Sequence, residues 1–178
     1  MNSVCLGQLK NFNSKSRFLL SAKVIFEQKY SKMTSLKKSL LKKGYIQIPV
    51  KVTKTNHMVL NVKINGKKGR FILDTGASNS CVGFDEVSLF SIETSESEVK
   101  AAGAGAVGME TLKSEGNTLR MGKWKTKKFD LVIFDMSHVN QALIEHNEKM
   151  INGIIGADVL LSGKAVIDYK EKCFYLKK

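Results

Sequence analysis

The stretch Phe71-Ile72-Leu73-Asp74-Thr75-Gly76-Ala77-Ser78 holds the residues best suited to chemistry. An apolar run ends on a carboxylate, then a hydroxyl, then a glycine. The run predicts a strand that would fix Asp74 at a dry strand end. Gly76 would allow a tight turn that a side chain would obstruct, and Thr75 can hydrogen-bond a neighbouring backbone and hold the loop rigid. If two such loops met across a twofold axis, their carboxylates would share one site. Like charges that close cannot both ionise, so the pair would hold one proton between them. One carboxylate could then take a proton from water while the other gives one to a carbonyl oxygen. The triplet occurs once in 178 residues, so the second carboxylate would have to come from a second copy of the chain.

Other residues compete less well. His57, His138 and His146 are scattered, with neither an i, i+4 pair nor an H-E-x-x-H pattern, so no metal site is expected. Ser78 and Ser80 lack a G-x-S-x-G context and a visible His-Asp partnership. Cys81 follows a strand-turn without a sequence-visible base, and buried packing is the expected role. No phosphate-binding glycine loop of the G-x-x-x-x-G-K type is present. Trp124, set among Lys123, Lys125, Lys127 and Lys128, could stack a base, but a solvated hairpin end is the expected reading.

The elements around the carboxylate read as short strands. Ile46, Ile48, Val50 and Val52 alternate with polar residues, as do Met58, Leu60, Val62 and Ile64. Asn65-Gly66 predicts a tight hairpin leading into the strand that ends at Asp74. Further strands are expected over 98–102, 110–121 and 129–134, with a turn at 122–128. Segments 165–169 and 172–176 read as a closing hairpin. Residues 159–162, after Gly156, read as the interior of a short helix, and 138–148 is ambiguous. The class is all-β with one or two short helices. Asn65-Gly66 leading to Asp74 has an echo in Met121-Gly122 leading through Leu131-Val132-Ile133-Phe134 to Asp135. Asp135 lacks a following Thr-Gly and reads as structural.

Two further stretches make the triplet specific. Downstream lies Ile154-Ile155-Gly156-Ala157-Asp158-Val159-Leu160, and between the two lies the small-residue run from Ala101 to Met109. Together these resemble the retropepsin-like aspartic proteases, the group that includes the retroviral enzymes, and most of all their bacterial single-domain members. The likeness spans about 45–178. It implies a closed β-barrel of the acid-protease half type, with one short helix near the C-terminus, forming a homodimer. It implies an aspartic endopeptidase acting on a peptide or protein through an Asp-activated water, with no metal or organic cofactor. Asp74, Thr75 and Gly76 would be the catalytic loop. Ala77, Ser78 and the flap residues Ala102, Gly103, Ala104, Gly105 and Ala106 would contact substrate. Ile154, Ile155 and Gly156 would support the site from beneath. An inactive peptide-binding domain on the same scaffold is the alternative. Where the retroviral proteases carry an Asp–Arg ion pair, this chain has Ser78 and Ala157, so both partners are replaced together. The stretch 137–152 is longer than its retroviral equivalent and is read as a surface insertion in preference to a substrate wall.

Charge sets residues 1–44 apart. They hold ten Lys/Arg and one acid, whereas 45–178 holds nineteen Lys/Arg and fifteen acids. This leader reads as a solvated tail, a transit-like segment, or an upstream extension ahead of a start at Met33. Within it, 35–43 reads as a basic amphipathic helix, expected to pack against its own domain in preference to touching a membrane surface. Nucleic acid is not expected as a partner. Three well-separated cysteines suit a reducing compartment. With no convincing secretion signal, the expected location is the cytoplasm.

Overall fold

A computed structural model describes residues 36–97, 101–103 and 106–178; the side chains of 101–109 are outside the description. The readings made for residues 1–35 therefore lie outside the described residues. The chain divides into two units, Met1–Lys42 and Lys43–Lys178. In the first, residues 36–42 form helix α1.

The second unit is built on strands whose alternation points one face inward. β1 (Tyr45–Pro49), β2 (Lys51–Val52), β3 (Met58–Ile64) and β4 (Lys67–Leu73) lead to the Asp74 loop. Asn65 and Gly66, with φ of 48° and 83°, make the tight turn between β3 and β4. β5 (Cys81–Gly83) follows the loop, then a 3-10 turn and helix α2 (Val87–Phe90). β6 (Ser95–Glu96) and the β7–β8 hairpin (Ala101–Gly103, Ala106–Met109) precede the two long strands β9 (Leu112–Met121) and β10 (Trp124–Phe134). Helix α3 (Ser137–Glu145), β11 (Gly153–Ile155), helix α4 (Ala157–Ser162), β12 (Val166–Asp168) and β13 (Cys173–Lys177) complete the chain.

Six strands close a barrel in the order β3-β4-β11-β5-β10-β9. The closure is made where Lys63 and Ile64 of β3 pair with Arg120 and Leu119 of β9. Met58, Leu60, Val62, Ile64, Phe71, Leu119, Met121 and Ile133 fill the interior. Outside it, a three-stranded sheet β1-β13-β12 sends Phe174 and Leu176 into the same core.

Two elements differ from expectation. The turn at 122–128 shrinks to Gly122-Lys123, because β10 already begins at Trp124 and absorbs the lysines in bulges between Thr126 and Phe129. Lys128 takes φ of 60° there, so a bulged strand had the look of a loop. The ambiguous stretch is helix α3. Its Leu143, with Met136 and Ile151, covers Val59 and Ile72 on the outside of the barrel, so it is a packed layer of the domain.

β11 is the piece on which closure depends. It runs parallel to β4, with Gly153, Ile154 and Ile155 opposite Phe71, Ile72 and Leu73. It runs antiparallel to β5 on its other side. The approach is anchored: Asn152 receives the Arg70 backbone N–H at 2.7 Å and returns its own to the Arg70 carbonyl at 2.8 Å. Arg70 also reaches Glu148 at 3.8 Å. A Cβ added at Gly153 would lie 2.3 Å from the Cys81 carbonyl oxygen and 2.4 Å from the Phe71 ring. Gly153→Ala is expected to destabilise the domain by about 1–3 kcal/mol or more. Thermal unfolding followed by the fluorescence of Trp124, the chain's single tryptophan, would measure it.

Candidate active site

Strand β4 delivers Asp74 to its C-terminal end, where the Asp74 N–H donates to the Ile155 carbonyl at 3.0 Å. The Asp74 carboxylate then accepts the Gly76 N–H through Oδ1 at 2.8 Å, folding the loop back on its own side chain. Asp74 is half-buried, while Thr75 and Gly76 are exposed. A Cβ at Gly76 would meet Asp74 Oδ1 at 3.3 Å, a tight contact to which the carboxylate would have to yield by a few tenths of an ångström. Thr75 was expected to brace the loop; no hydrogen bond to it occurs among the described residues.

The bracing comes instead from the Ile154–Asp158 segment. The Ala157 N–H donates to the Ala77 carbonyl at 2.7 Å, and the Asp158 N–H to the Ser78 carbonyl at 3.2 Å. A Cβ on Gly156 would sit 2.7 Å from the Asn79 carbonyl and 2.8 Å from the Ala77 oxygen, so a glycine is required where the two segments cross. Beneath them runs a polar relay absent from the sequence reading. The Gly156 N–H donates to Ser80 Oγ at 3.0 Å, and Ser80 Oγ donates to Asp158 Oδ1 at 2.7 Å. Asp158 also accepts the Ser80 N–H at 2.9 Å and the Val159 N–H at 2.7 Å. Ser80 has no solvent exposure, so its hydroxyl works as a buried connector and not as a nucleophile. The spacing of Ser80 and Asp158 across 78 residues hid this pair from sequence reasoning.

The carboxylate opens on a cleft of about 400 Å³ lined by Asp74, Thr75, Ile72, Ile154 and Val139, with His57 and Tyr169 at its edge. Val139 belongs to α3, so the stretch first read as a surface insertion contributes a wall of this cleft. His57 is exposed and its Nδ1 lies 2.8 Å from the Thr55 hydroxyl. A second hollow of about 430 Å³ lies by Asn79, Trp124 and Asp158, but the carboxylate it shares with the loop is taken up by the relay above. Of the expected flap, Ala102 and Gly103 lie on β7 and Ala106 on β8. These strands pair antiparallel with Ala101 opposite Met109. Ala104 and Gly105 lie outside the described residues. Cys81 is buried against β11, and burial pushes its thiol up to about 12, which leaves it an inert packing group.

Asp135 occupies the matching place in the other half of the barrel. β10 pairs parallel with β5 as β4 pairs with β11, and Asp135 Oδ1 accepts the Ser137 N–H at 2.8 Å just as Asp74 accepts that of Gly76. The Ser137 hydroxyl and N–H hold this exposed carboxyl below its usual range. Met136 and Ser137 stand where the first loop has Thr75 and Gly76, and Met136 is buried in the α3 layer. The two halves share a backbone plan, with one carrying the triplet.

The chain belongs to the aspartyl protease family, whose model matches residues 60–159. No curated protein matches it. Among solved structures it is similar to the EIAV protease complexed with the inhibitor HBY-793, at 18% identity over 67% of this chain and 99% of that one, with a TM-score of 0.50. It also resembles a retropepsin-like aspartic protease from Rickettsia conorii, at 19% identity over 75% and 89% of the two chains and a TM-score of 0.46. The third is the retroviral protease-like domain of Ddi1 from Leishmania major, at 15% identity over 67% and 87% and a TM-score of 0.48. The fold is retropepsin-like: a closed six-stranded barrel with a few short helices.

The relay is testable by a double-mutant cycle. Ser80→Ala strands the Gly156 N–H, and Asp158→Ala strands donors from Ser80 and Val159; each is expected to cost about 1–3 kcal/mol. The pair should fall short of additivity by about 1 kcal/mol in urea unfolding, whereas independent residues would add.

Proposed function

We propose that the chain is an aspartic endopeptidase whose catalytic pair forms from Asp74 of two copies. The observation that carries this reading is the presentation of Asp74. A half-buried carboxylate sits at a strand end, on a loop whose tip residues Thr75 and Gly76 face outward from their own chain. A second copy approaching by a twofold axis would set its loop against this one. The two carboxylates would then share one proton. The ionised Asp74 takes a proton from water, and the water oxygen attacks the peptide carbonyl carbon. The protonated Asp74 of the partner subunit gives its proton to the carbonyl oxygen. Return of a proton to the amide nitrogen then lets the C–N bond break.

Substrate would lie in the cleft against Ile72, Ile154 and Val139, with Ala77 and Ser78 at its edge and the β7–β8 hairpin as the covering flap. Thr75 then has a role the lone chain does not supply, as a hydroxyl available to the facing loop. Membership of the aspartyl protease family supports a peptide as substrate. A cytoplasmic location belongs to the same reading, supported by Cys81 and Cys173 being free and buried thiols. No helix among the described residues is long and apolar enough to cross a membrane.

Light scattering and a peptide-library cleavage assay on the full chain test this together. The expected result is a dimer whose kcat/KM follows a bell-shaped pH profile, with both limbs and the activity lost in Asp74→Asn while the dimer persists. Cleavage that survives Asp74→Asn, or peptide binding by an inactive monomer, would refute the shared-carboxylate reading. The latter outcome would favour a peptide-binding domain.

A further inference from the structure

Positive charge is segregated within the barrel domain. Segments 61–70 and 118–128 together hold nine lysines and arginines and no acid, whereas the rest of 45–178 holds ten against fifteen acids. The fold brings the two segments side by side. Lys63 on β3 lies opposite Lys68 on β4 and, on its other side, opposite Arg120 on β9. Arg120 in turn lies opposite Lys125 on β10. Residues directly opposite in an antiparallel pair point to the same face. Lys68, Lys63, Arg120 and Lys125 therefore form one row across four adjacent strands, and all four are exposed. At ~4.8 Å between strands the row is about 14 Å long. Lys123 and Lys127, on either side of Lys125 in the chain, are also exposed.

Like charges directly opposite one another weaken a sheet. The ion pairs found among the described residues, Arg70–Glu148 and Lys113–Glu115, neutralise none of the four. The row is thus a cost to the fold, and a bound polyanion would relieve it.

We propose that this row is a docking surface for the phosphodiester backbone of a nucleic acid, held by charge without reading bases. A linear polyanion matches a linear row, and lysine ammonium groups on flexible stems adapt to successive phosphates. Trp124 is turned inward, its indole N–H donating to the Lys177 carbonyl at 2.9 Å, so this face offers no stacking platform. Ile64, Leu119 and Met121 are also buried, and no large apolar side chain is exposed within the two segments. A bilayer would therefore find nothing here to insert. Lys68 precedes Asp74 by six residues on β4, about 20 Å along the strand, so a bound duplex leaves the cleft open. The inference stands independently of the peptidase reading.

The test uses the full chain and its Lys63→Gln/Lys68→Gln/Lys125→Gln variant. Anisotropy of fluorescein-labelled 20-base-pair DNA and RNA duplexes of two unrelated sequences is measured over a range of KCl concentrations. Phosphatidylcholine vesicles containing phosphatidylserine are run alongside. The expected result is binding of one or both duplexes, alike for the two sequences. Its slope of log K against log salt should be shallower in the variant by about 2.7, or about 0.9 per lysine. The variant's Tm should not fall, because like-charge repulsion has been removed. An absence of duplex binding by the unmodified chain, or an unchanged salt slope, overturns the proposal; the second would assign binding to the basic leader. Sequence-dependent binding, a lowered Tm in the variant, or binding of vesicles but not duplexes overturns it as well.

Discussion

A three-residue strand, β11, has to fit between two others with no space to spare, and most of the domain's organisation follows from that fit. Gly153 and Gly156 bracket it, and each has backbone oxygen within 3 Å of where a Cβ would stand. Between them Ile155 points into the core without solvent exposure, and its carbonyl holds the Asp74 N–H. If β11 were absent, β4 and β5 would present open edges, the barrel would not close, and the Asp74 loop would hang from one strand. Packing at this density leaves little freedom for the loop, which suits a carboxylate that has to be held in place. The Ser80–Asp158 relay extends the same constraint into helix α4 by satisfying polar groups that the crossing buries.

The two ends of the barrel are finished differently. Near Asp74 the outer faces of β3 and β4 are apolar, with Val59 and Ile72 covered by Leu143 and Met136, so the cleft inherits an apolar floor and a helical wall. At the far end the outer faces are bare and cationic. One β-strand can serve both ends because its outward positions alternate independently of its inward ones. In β3, Met58, Leu60, Val62 and Ile64 face the core throughout, while the opposite face changes from Val59 to Asn61 and Lys63.

What could be read in advance was local. Asp74-Thr75-Gly76 after an apolar run, Ile154-Ile155-Gly156 before a helix, Asn65-Gly66 at a hairpin and the closing β12–β13 pair all announce themselves within a few residues. The features that escaped depend on distant partners. The Ser80 hydroxyl and Asp158 carboxylate look ordinary until β11 brings their segments together. The lysines after Trp124 have no period because bulges break it. Helix α3 has few apolar residues, and they gain meaning against Val59 and Ile72, which carry no mark of an outer layer. Cross-strand register cannot be seen in a linear string, and the row of cations exists in that register alone.

The threading of β11 also sets a chronology. Asp74 leaves the ribosome long before residues 153–158, and until those residues arrive its loop lacks the carbonyl, the crossing glycine and the buried relay that shape it. Parallel pairing between segments so far apart is slow to find, since a long intervening chain must first be organised. The Asp74 loop is therefore shaped late, when the barrel closes. The chain thus times the assembly of this loop through its own topology.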